Sequence, residues 1–404
     1  MKKIAIITMG VALLEEKGYT RFRYLSDFLV KAGYEVDLIT STFQHWEKKQ
    51  RNLNDYNNLP YEFDVHFIYE PGYKKNVDWR RIYSHRMAAK NIKKFLEEHE
   101  DYDLLYTEIP PNDVALEIGK YAKKKSIPFV VDVNDLWPEA MRMVLDVPVI
   151  SDVLFYKFQH DAEETYKLVS GVIGTSDEYC ERPFKFKEMD VPKATVYVGN
   201  DLAEFDAGVK ELSCDIRKNK NEFWVAYAGT IGTSYDIGNL IDTSSYLQSV
   251  GKKNIKFLIM GGGPLKEELE NRAKTIDCNV EFIGYVPYKK MAAYLAKSDI
   301  TVNSFQKKAP QSIVTKIGDY LASGKPMINT CSSEEFKDKV KKDGFGLNVE
   351  AENPVALGEA ICSILENEKM KEEMGRKARK IAETEFDRKI AYKKIENLIS
   401  SLLN

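Results

Sequence analysis

Short runs of apolar, often β-branched residues alternate with longer helical patterns along most of the chain. In segments 21–33 and 112–125 the apolar positions recur with the spacing of amphipathic helices. This alternation predicts a doubly wound parallel sheet, because parallel strands are buried on both faces and need helical crossovers. The strands predicted in the first half are residues 3–8, 35–40, 65–69, 103–109, 128–133, 171–176 and 194–200.

The strand pattern restarts after a polar stretch, and a chain of 404 residues suits two domains. We expect an α/β architecture of two Rossmann-like lobes, 1–205 and 222–375, joined by a linker at 206–221. Segment 376–404 is predicted to end in a helix that packs back towards the first lobe. Ligands bind at the carboxyl ends of such strands, so the cleft between the lobes is the expected site. The strands predicted in the second half are residues 223–229, 255–261, 280–286, 299–304 and 326–330.

The composition excludes several classes of function and of cellular location. A formal net charge of -3 gives no global electrostatic reason to bind nucleic acid. The five scattered cysteines indicate neither a disulfide framework nor a zinc site, and favour a reducing compartment. The apolar run at the start is too short for a signal peptide, and no run approaches the roughly 20 residues that span a bilayer. We therefore expect a cytoplasmic protein.

Candidate phosphate-binding loops follow two strands of the second lobe. YAGTIGT (227–233) and MGGGP (260–264) are rich in glycine, which lets backbone N–H groups approach a phosphate. Each loop alone is a weak signal, because strand-to-helix turns need glycine in any case. Their repetition at one edge of one sheet favours a phosphate site.

The stretch PQSIVTKIGDYLASGKPMI (310–328) carries a lysine at the expected start of a helix. Ser312 or Thr315 is a suitable helix cap, and Lys316 would be unfavourable there unless an anion were bound. Asp319, one turn later, is suited to accept hydrogen bonds from a ribose diol. The alternative is a surface Lys–Asp pair, worth only a few tenths of a kcal/mol.

Residues 312–326 resemble the P-x-K-x-x-E-Y-x-A-x-G-K-P motif of retaining glycosyltransferases with the GT-B fold. The resemblance is to family 4 (group 1), particularly the bacterial enzymes of O-antigen, capsule and exopolysaccharide synthesis. It extends over nearly the whole chain, since further family motifs occur in the right order. These are GYTRFRYL…KAGYEV (18–36), DVNDLWPEA (132–140), VGNDLAEF (198–205) and FIGYVP…YLAKSD (282–299).

The resemblance implies a donor site in the second lobe, with Asp319 at the ribose and Gln311 at the donor sugar. Both replace glutamates of the family motif. The family's basic pair is missing from 229–236, so Lys316 and backbone N–H groups are the expected contacts of the diphosphate. No Asp-x-Asp motif occurs in a suitable loop, which implies a metal-independent enzyme without a cofactor. The predicted donor-binding residues are Gly229, Thr230, Gly232, Thr233, Gly262, Tyr285, Gln311, Ser312, Ile313, Thr315 and Asp319.

Catalysis is expected to involve Lys316 at the departing diphosphate and Asn134 and Asp135, which occupy the position of a family histidine. Asp135 would orient the acceptor hydroxyl, with Glu139 as an alternative base. The competing interpretation is that Asp135 shapes a turn and Trp137 packs in the core. None of the five histidines lies in a motif, so histidine catalysis is not expected.

Segment 73–95 carries eight Lys and Arg residues against one Asp, interleaved with aromatic side chains. Such a patch suits anionic lipid head groups or a lipid diphosphate, although a solvated helix face is an equal alternative. Arg21 or Arg23 is expected to reach the donor diphosphate. The predicted acceptor or membrane residues are Gly18, Arg21, Arg23, Lys74, Lys75, Arg80, Arg81, Trp137 and Glu139.

The resemblance therefore implies a hexosyl- or N-acetylhexosaminyltransferase that uses a nucleotide sugar, with UDP expected and GDP as the main rival. The expected acceptor is a saccharide on undecaprenyl diphosphate, and the expected location is cytoplasmic with peripheral contact at the inner face of the membrane. Two alternatives remain: a sugar-nucleotide epimerase of the same fold, and an inactive partner subunit of a transferase.

Overall fold

The computed structural model describes residues 1–76, 78–137, 150–186, 190–309 and 313–404, without the side chains of 150–154. The chain divides into two compact units. The N-terminal unit comprises Met1–Val196 and Tyr392–Asn404, and the C-terminal unit comprises Tyr197–Ala391.

The N-terminal unit is a parallel sheet with helices. Within the described residues the sheet has seven strands in the order β5-β2-β1-β6-β7-β8-β9, beside a small antiparallel hairpin, β3-β4. The strands are β1 (Lys3–Ile7), β2 (Glu35–Ser41), β3 (Phe43–Gln44), β4 (Lys49–Gln50), β5 (Asp64–Ile68), β6 (Leu104–Ile109), β7 (Phe129–Val133), β8 (Gly171–Gly174) and β9 (Lys193–Thr195). The helices are α1 (Arg21–Lys31), α2 (Trp79–Glu98), α3 (Asn112–Lys125), α4 (Ile150–Tyr166) and α5 (Asp177–Glu181), with 3₁₀ turns at Leu53–Tyr56 and Arg182–Lys185.

The C-terminal unit repeats the design with a parallel sheet in the order β12-β11-β10-β13-β14-β15. Its strands are β10 (Phe223–Ala228), β11 (Ile255–Met260), β12 (Val280–Gly284), β13 (Ile300–Asn303), β14 (Met327–Asn329) and β15 (Gly346–Asn348). Its helices are α6 (Leu202–Leu212), α7 (Ile237–Ser249), α8 (Lys266–Thr275), α9 (Tyr288–Lys297), α10 (Lys316–Ala322), α11 (Glu334–Asp343), α12 (Pro354–Leu365), α13 (Glu368–Ile381) and α14 (Arg388–Ala391), with short turns at Ser213–Asp215 and Ala382–Phe386.

The central strands are buried on both faces because helices cover both sides of each sheet. Strand β1 has four buried residues out of five, and every residue of β6 and β7 is buried. The last helix, α15 (Lys393–Leu403), belongs to the N-terminal unit, where Leu398 lies against Gly171 of β8. These strands place their carboxyl ends, and the loops that follow, along one edge of each sheet.

The segment predicted to be a linker, 206–221, begins instead within helix α6. Leu202, Phe205 and Gly208 of this helix are buried, and a Cβ at Gly208 would lie 2.6 Å from the Cα of Lys289 in α9. The polar residues form its exposed face, which explains why composition alone indicated a linker. The strand predicted at 194–200 is also shorter, because pairing with β8 ends at Thr195.

Candidate functional site

Three loops meet at the carboxyl edge of the sheet in the C-terminal unit. Gly229 donates its backbone N–H to the carbonyl of Met260 at 3.0 Å, and Gly261 donates to the carbonyl of Gly284 at 2.8 Å. A Cβ at Gly261 would lie 1.9 Å from the carbonyl oxygen of Gly229, at a φ of +135° that favours glycine. A Cβ at Gly262 would meet nothing within 4 Å. Gly261 therefore allows the loops to pack, whereas Gly262 has an open face.

Lys316 extends from the first residue of α10 towards these loops, since a Cβ at Gly229 would lie 3.4 Å from its Cδ. Its Nζ lies 4.1 Å from the ring centroid of Tyr235, 4.3 Å from that of Tyr227 and 5.1 Å from that of Phe305. The Nζ is buried and has no hydrogen-bond partner in the described part of the chain. Burial lowers the pKa of Lys316 well below its ordinary value. The result is an aromatic cage around an unpaired amine beside a glycine loop.

Two tyrosine hydroxyls hold the glycine loop and helix α10 at the end of β10 by hydrogen bonds. The Tyr227 hydroxyl donates to the carbonyl of Thr230 at 2.7 Å, which fixes the glycine loop. The Tyr320 hydroxyl accepts from the N–H of Ala228 at 2.8 Å and donates to its carbonyl at 3.0 Å. Tyr320 thereby joins α10 to the strand that precedes the loop. The contacts of Tyr320 could not be predicted from the sequence, because Tyr320 and Ala228 are far apart along the chain.

Asp319 lies one turn after Lys316 on α10. Its Oδ1 accepts hydrogen bonds from the Tyr288 hydroxyl at 2.7 Å and from Nδ2 of Asn200 at 3.1 Å. Oδ2 makes no hydrogen bond to any residue that the structure describes. Burial raises the pKa of Asp319 to about 6. Lys316 and Asp319 therefore do not form the surface pair considered as an alternative.

The other predicted donor residues are placed as follows. Thr230 and Thr233 are exposed, and Tyr285 is exposed beside the glycine loops. Ile313 is buried, and Thr315 stands at the N-cap of α10 without a capping hydrogen bond from its side chain. Gln311 and Ser312 lie outside the described residues. The structure thus brings Gly229, Thr230, Gly232 and Gly262 together with Lys316.

Glu108, which sequence reasoning missed, marks the corresponding edge of the sheet in the N-terminal unit. Its Oε1 accepts hydrogen bonds from the Thr8 hydroxyl at 2.8 Å and from the N–H groups of Met9 at 2.7 Å and Gly10 at 3.1 Å. Burial raises its pKa to about 8. The available signal was an acidic residue near the end of an otherwise buried strand, β6.

Asn134 and Asp135 follow β7 at the same edge. Oδ1 of Asn134 accepts from the Tyr19 hydroxyl at 2.7 Å, and its Nδ2 donates to the carbonyl of Asp132 at 2.9 Å. Asp135 accepts from the N–H of Leu136 at 2.9 Å and from Nε1 of Trp137 at 3.2 Å. Trp137 is buried. The turn-forming interpretation of Asp135 is thus observed, and its catalytic role stays a prediction; Glu139 lies outside the described residues.

The expectation that Arg21 contacts a ligand needs correction. Its guanidinium is fully buried and ion-paired with Asp132 at 2.8 Å, and the ring of Tyr392 lies 5.2 Å away. Gly18 is exposed, and a Cβ there would lie 2.3 Å from the Trp46 ring. Arg23 donates to the carbonyl of Leu14 at 3.3 Å. Arg21 therefore stabilises the N-terminal unit instead of reaching a substrate.

The basic segment separates into outward and inward side chains. Lys74, Lys75 and Arg80 are exposed, together with the aromatic rings of Trp79 and Tyr83. Arg81 points inward, with its guanidinium carbon 4.4 Å from the ring centroid of the buried Trp137. No helix in the described ranges is both long and apolar enough to cross a bilayer, and they hold no cluster of three or more His, Cys, Asp or Glu suited to a metal ion.

Known proteins resemble this chain in sequence and in fold. Residues 209–381 match the family described as "Glycosyl transferases group 1". An uncharacterised glycosyltransferase of Methanocaldococcus jannaschii, MJ1069, is 23% identical over 219 residues, which is 54% of each chain. The Campylobacter jejuni enzyme named GalNAc-alpha-(1->4)-GalNAc-alpha-(1->3)-diNAcBac-PP-undecaprenol alpha-1,4-N-acetyl-D-galactosaminyltransferase is 25% identical over 164 residues, 41% of this chain and 44% of that enzyme. The chain spans about half the length of these curated relatives.

Solved structures match over the whole chain. Sucrose-phosphate synthase from Thermosynechococcus elongatus superposes with a TM-score of 0.71 at 17% identity, covering 100% of this chain and 99% of that one. HepE from Anabaena in complex with UDP gives 0.70 at 14% identity, with coverage of 99% and 100%. WaaG, a glycosyltransferase of lipopolysaccharide biosynthesis, gives 0.66 at 12% identity, with coverage of 98% and 99%. The chain therefore has the GT-B fold predicted for it, and the segment that matches the group 1 glycosyltransferases, residues 209–381, holds the glycine loops, Lys316 and Asp319.

Proposed function

We propose that the protein is a retaining, metal-independent glycosyltransferase of family 4 that uses a nucleotide diphosphate sugar. The observation that carries this proposal is the buried, unpaired Nζ of Lys316 beside the glycine loop at Gly229. A buried amine without a partner costs stability, so its presence needs a reason outside the fold. A diphosphate group that reaches the loop would supply the missing partner.

The loop offers further donors for the same group. The N–H groups of Thr230, Gly232 and Thr233 donate no hydrogen bond to any described residue. In glycosyl transfer, negative charge develops on the departing diphosphate, and fixed donors there lower the barrier. Lys316 would add a positive charge, because a bound diphosphate raises the pKa of a neighbouring amine. Oδ2 of Asp319 would accept a hydrogen bond from the ribose diol.

UDP is the proposed nucleotide, with GDP as the rival. HepE, which shares the fold, has been solved with UDP and with UDP-glucose. The proposed acceptor is a saccharide on a lipid diphosphate, as in the name of the Campylobacter jejuni relative, and the transferred sugar is a hexose or N-acetylhexosamine. The exposed Trp79 and Tyr83, with Lys74, Lys75 and Arg80, would then contact an anionic membrane at its cytoplasmic face. Asn134 and Asp135 are proposed to act on the acceptor side.

Calorimetric titration with UDP and with GDP tests the donor site. We expect UDP to bind the wild type, and Lys316→Gln to weaken binding by about tenfold or more, since hydrogen bonds to charged groups contribute roughly 1.5–3 kcal/mol. Lys325→Gln is the matched control, because Lys325 is also partly buried with a lowered pKa but precedes β14 at the opposite edge of the sheet. Failure of the folded wild type to bind either nucleotide would reject the donor site and favour an inactive partner subunit.

A further inference from the structure

A second group of unusual side chains lies in the N-terminal unit. The β3–β4 hairpin carries His45 and Lys48 at its turn, and Lys48 adopts a left-handed backbone with φ +55°. These two residues converge with Arg81 and His85 on the ring of Tyr73, and Trp137 packs against Arg81 and His85. We name this group the Tyr73 cluster; its members are His45, Lys48, Tyr73, Arg81, His85 and Trp137.

The floor of the Tyr73 cluster consists of buried rings. Tyr73, His85 and Trp137 are 6%, 3% and 7% exposed. The ring of His85 lies 5.9 Å from that of Tyr73, edge to face, and 6.0 Å from that of Trp137, nearly parallel. Packing against rigid aromatic rings fixes the position of the polar groups around them.

The rim consists of partly exposed basic groups. The guanidinium carbon of Arg81 lies 4.4 Å from the ring centroid of Trp137 and 5.3 Å from that of Tyr73. The Nζ of Lys48 lies 5.0 Å from the centroid of Tyr73, whose hydroxyl is 2.5 Å from Nδ1 of His45. The buried Nε of Arg81 finds no acceptor within the described ranges. The rim therefore contains a buried donor that no described side chain satisfies.

The charges around the rim are not matched in pairs. Neither Arg81 nor Lys48 lies within ion-pair distance of a carboxylate of the described residues. Glu70 and Asp135 are the acidic neighbours: Glu70 accepts a hydrogen bond from the Ser84 hydroxyl at 2.7 Å, and Asp135 accepts one from Nε1 of Trp137. Burial, followed by the charge of Arg81, lowers the pKa of Lys48 to about 8. Positive charge is thus crowded where a bound anion would relieve it.

We propose that Arg81, Lys48 and His45 form a subsite for a phosphate or diphosphate group of the acceptor. The planar guanidinium and the mobile ammonium are the two side chains that proteins use to bind phosphate oxygens. A neutral histidine adds one more hydrogen-bond donor. This subsite rests on the proposed transferase function, which it deepens, but it involves none of the donor-binding residues.

The test uses full-length protein saturated with UDP, so that the donor site is occupied. Inorganic pyrophosphate, farnesyl diphosphate and uncharged farnesol are titrated in turn. We expect both diphosphates to bind and farnesol not to bind, and we expect Arg81→Gln and Lys48→Gln each to weaken binding by about tenfold. Equal affinities for pyrophosphate and farnesyl diphosphate would show that the subsite recognises the phosphate groups alone. Tighter binding of farnesyl diphosphate would show that it also contacts the lipid chain. Both results support the proposed subsite.

Arg86→Gln is the matched control, because Arg86 lies on the same helix as Arg81, α2, but is exposed. Equal losses in Arg86→Gln and Arg81→Gln, or no diphosphate binding by the UDP-saturated wild type, would overturn the subsite. UDP affinity, measured separately, should be unchanged in all three variants. Failure of UDP to bind the wild type would count against the proposed function instead.

A proton balance provides a readout that does not depend on a loss of affinity. Near pH 8, Lys48 is about half protonated, and a bound diphosphate would draw up to about half a proton onto it. The groups that face it are Arg81, which lowers its pKa, Glu70, which raises it, and the side chains of His45 and Tyr73. We expect Lys48→Arg to bind diphosphate but to take up less proton than the wild type, as measured from heats in buffers of different ionisation enthalpy. Equal uptake by the two proteins would contradict the assignment of Lys48.

Discussion

Replacement of Asp319 by asparagine should stabilise the protein at neutral pH while weakening nucleotide binding. The substitution keeps an oxygen at Oδ1, so the hydrogen bonds from Tyr288 and Asn200 can both persist. It removes the negative charge, which burial disfavours. It also replaces Oδ2, the oxygen proposed to accept the ribose hydroxyl, by a donor.

The magnitude follows from the pKa. Burial raises the pKa of Asp319 from 3.8 to about 6, so the unfolded chain binds fewer protons than the folded chain between these values. Stability contributed by this group is therefore lost as the pH rises from about 4 to about 6, and the loss totals about 3 kcal/mol. For a unit of this size, that corresponds to roughly 6–12 °C in Tm. Asparagine does not titrate and avoids the loss.

Urea and thermal unfolding of the wild type and Asp319→Asn, measured at unit steps from pH 4 to pH 8, would reveal this dependence. The two proteins should be equally stable near pH 4, and the variant should be more stable at pH 7. Asp277→Asn, at an exposed carboxylate of the same unit, should show no such divergence. A stability difference that is independent of pH would refute the buried-carboxylate argument. A stabilised variant that binds UDP like the wild type would refute the ribose contact.

Three further substitutions probe residues at the carboxyl edges of the two sheets. Tyr320→Phe leaves a buried backbone N–H and carbonyl without their hydroxyl partner, so urea unfolding should show a loss of about 1–3 kcal/mol, whereas Tyr246→Phe should cost far less. Glu108→Gln removes a carboxyl group, and burial raises the pKa of that carboxyl from 4.5 to about 8. The wild type should therefore lose stability relative to this variant as the pH rises from 5 to 9. A difference in stability that stays constant with pH would contradict the raised pKa. Gly261→Ala should unfold at a clearly lower temperature because its Cβ would meet a backbone oxygen at 1.9 Å, and Gly262→Ala, with open space, should keep the wild-type Tm.

Periodicity was enough to predict most of the fold, because buried parallel strands are long apolar runs that few other structures produce. Periodicity did not identify elements that are very short or amphipathic. The hairpin at Phe43–Gln44 and Lys49–Gln50 and the strand Gly346–Asn348 are too short to show a repeat. Helix α6 exposes polar residues on one side, so its composition resembles that of a linker.

The candidate site shows the same limit at the level of side chains. Lys316 and Asp319 could be singled out because they lie three residues apart in one motif. The cage of Tyr227, Tyr235 and Phe305 could not, since it joins positions almost 80 residues apart along the chain. The direction of an arginine is equally a tertiary property: Arg21 turns into the core and pairs with Asp132, although its sequence context indicated a ligand contact.

The electrostatics of the site in the C-terminal unit indicate which ligand groups would complete it. Burial lowers the pKa of Lys316 and raises that of Asp319, so both groups tend towards their neutral forms when the donor is absent. Neither contributes to the fold by forming an ion pair with the other, and each imposes a desolvation cost that an apolar residue of similar size would avoid. Such groups are expected where a ligand completes the network, because a ligand with anionic and hydroxyl groups would favour the charged form of each. A diphosphate joined to a ribose diol has these two parts in the required order along one helix face.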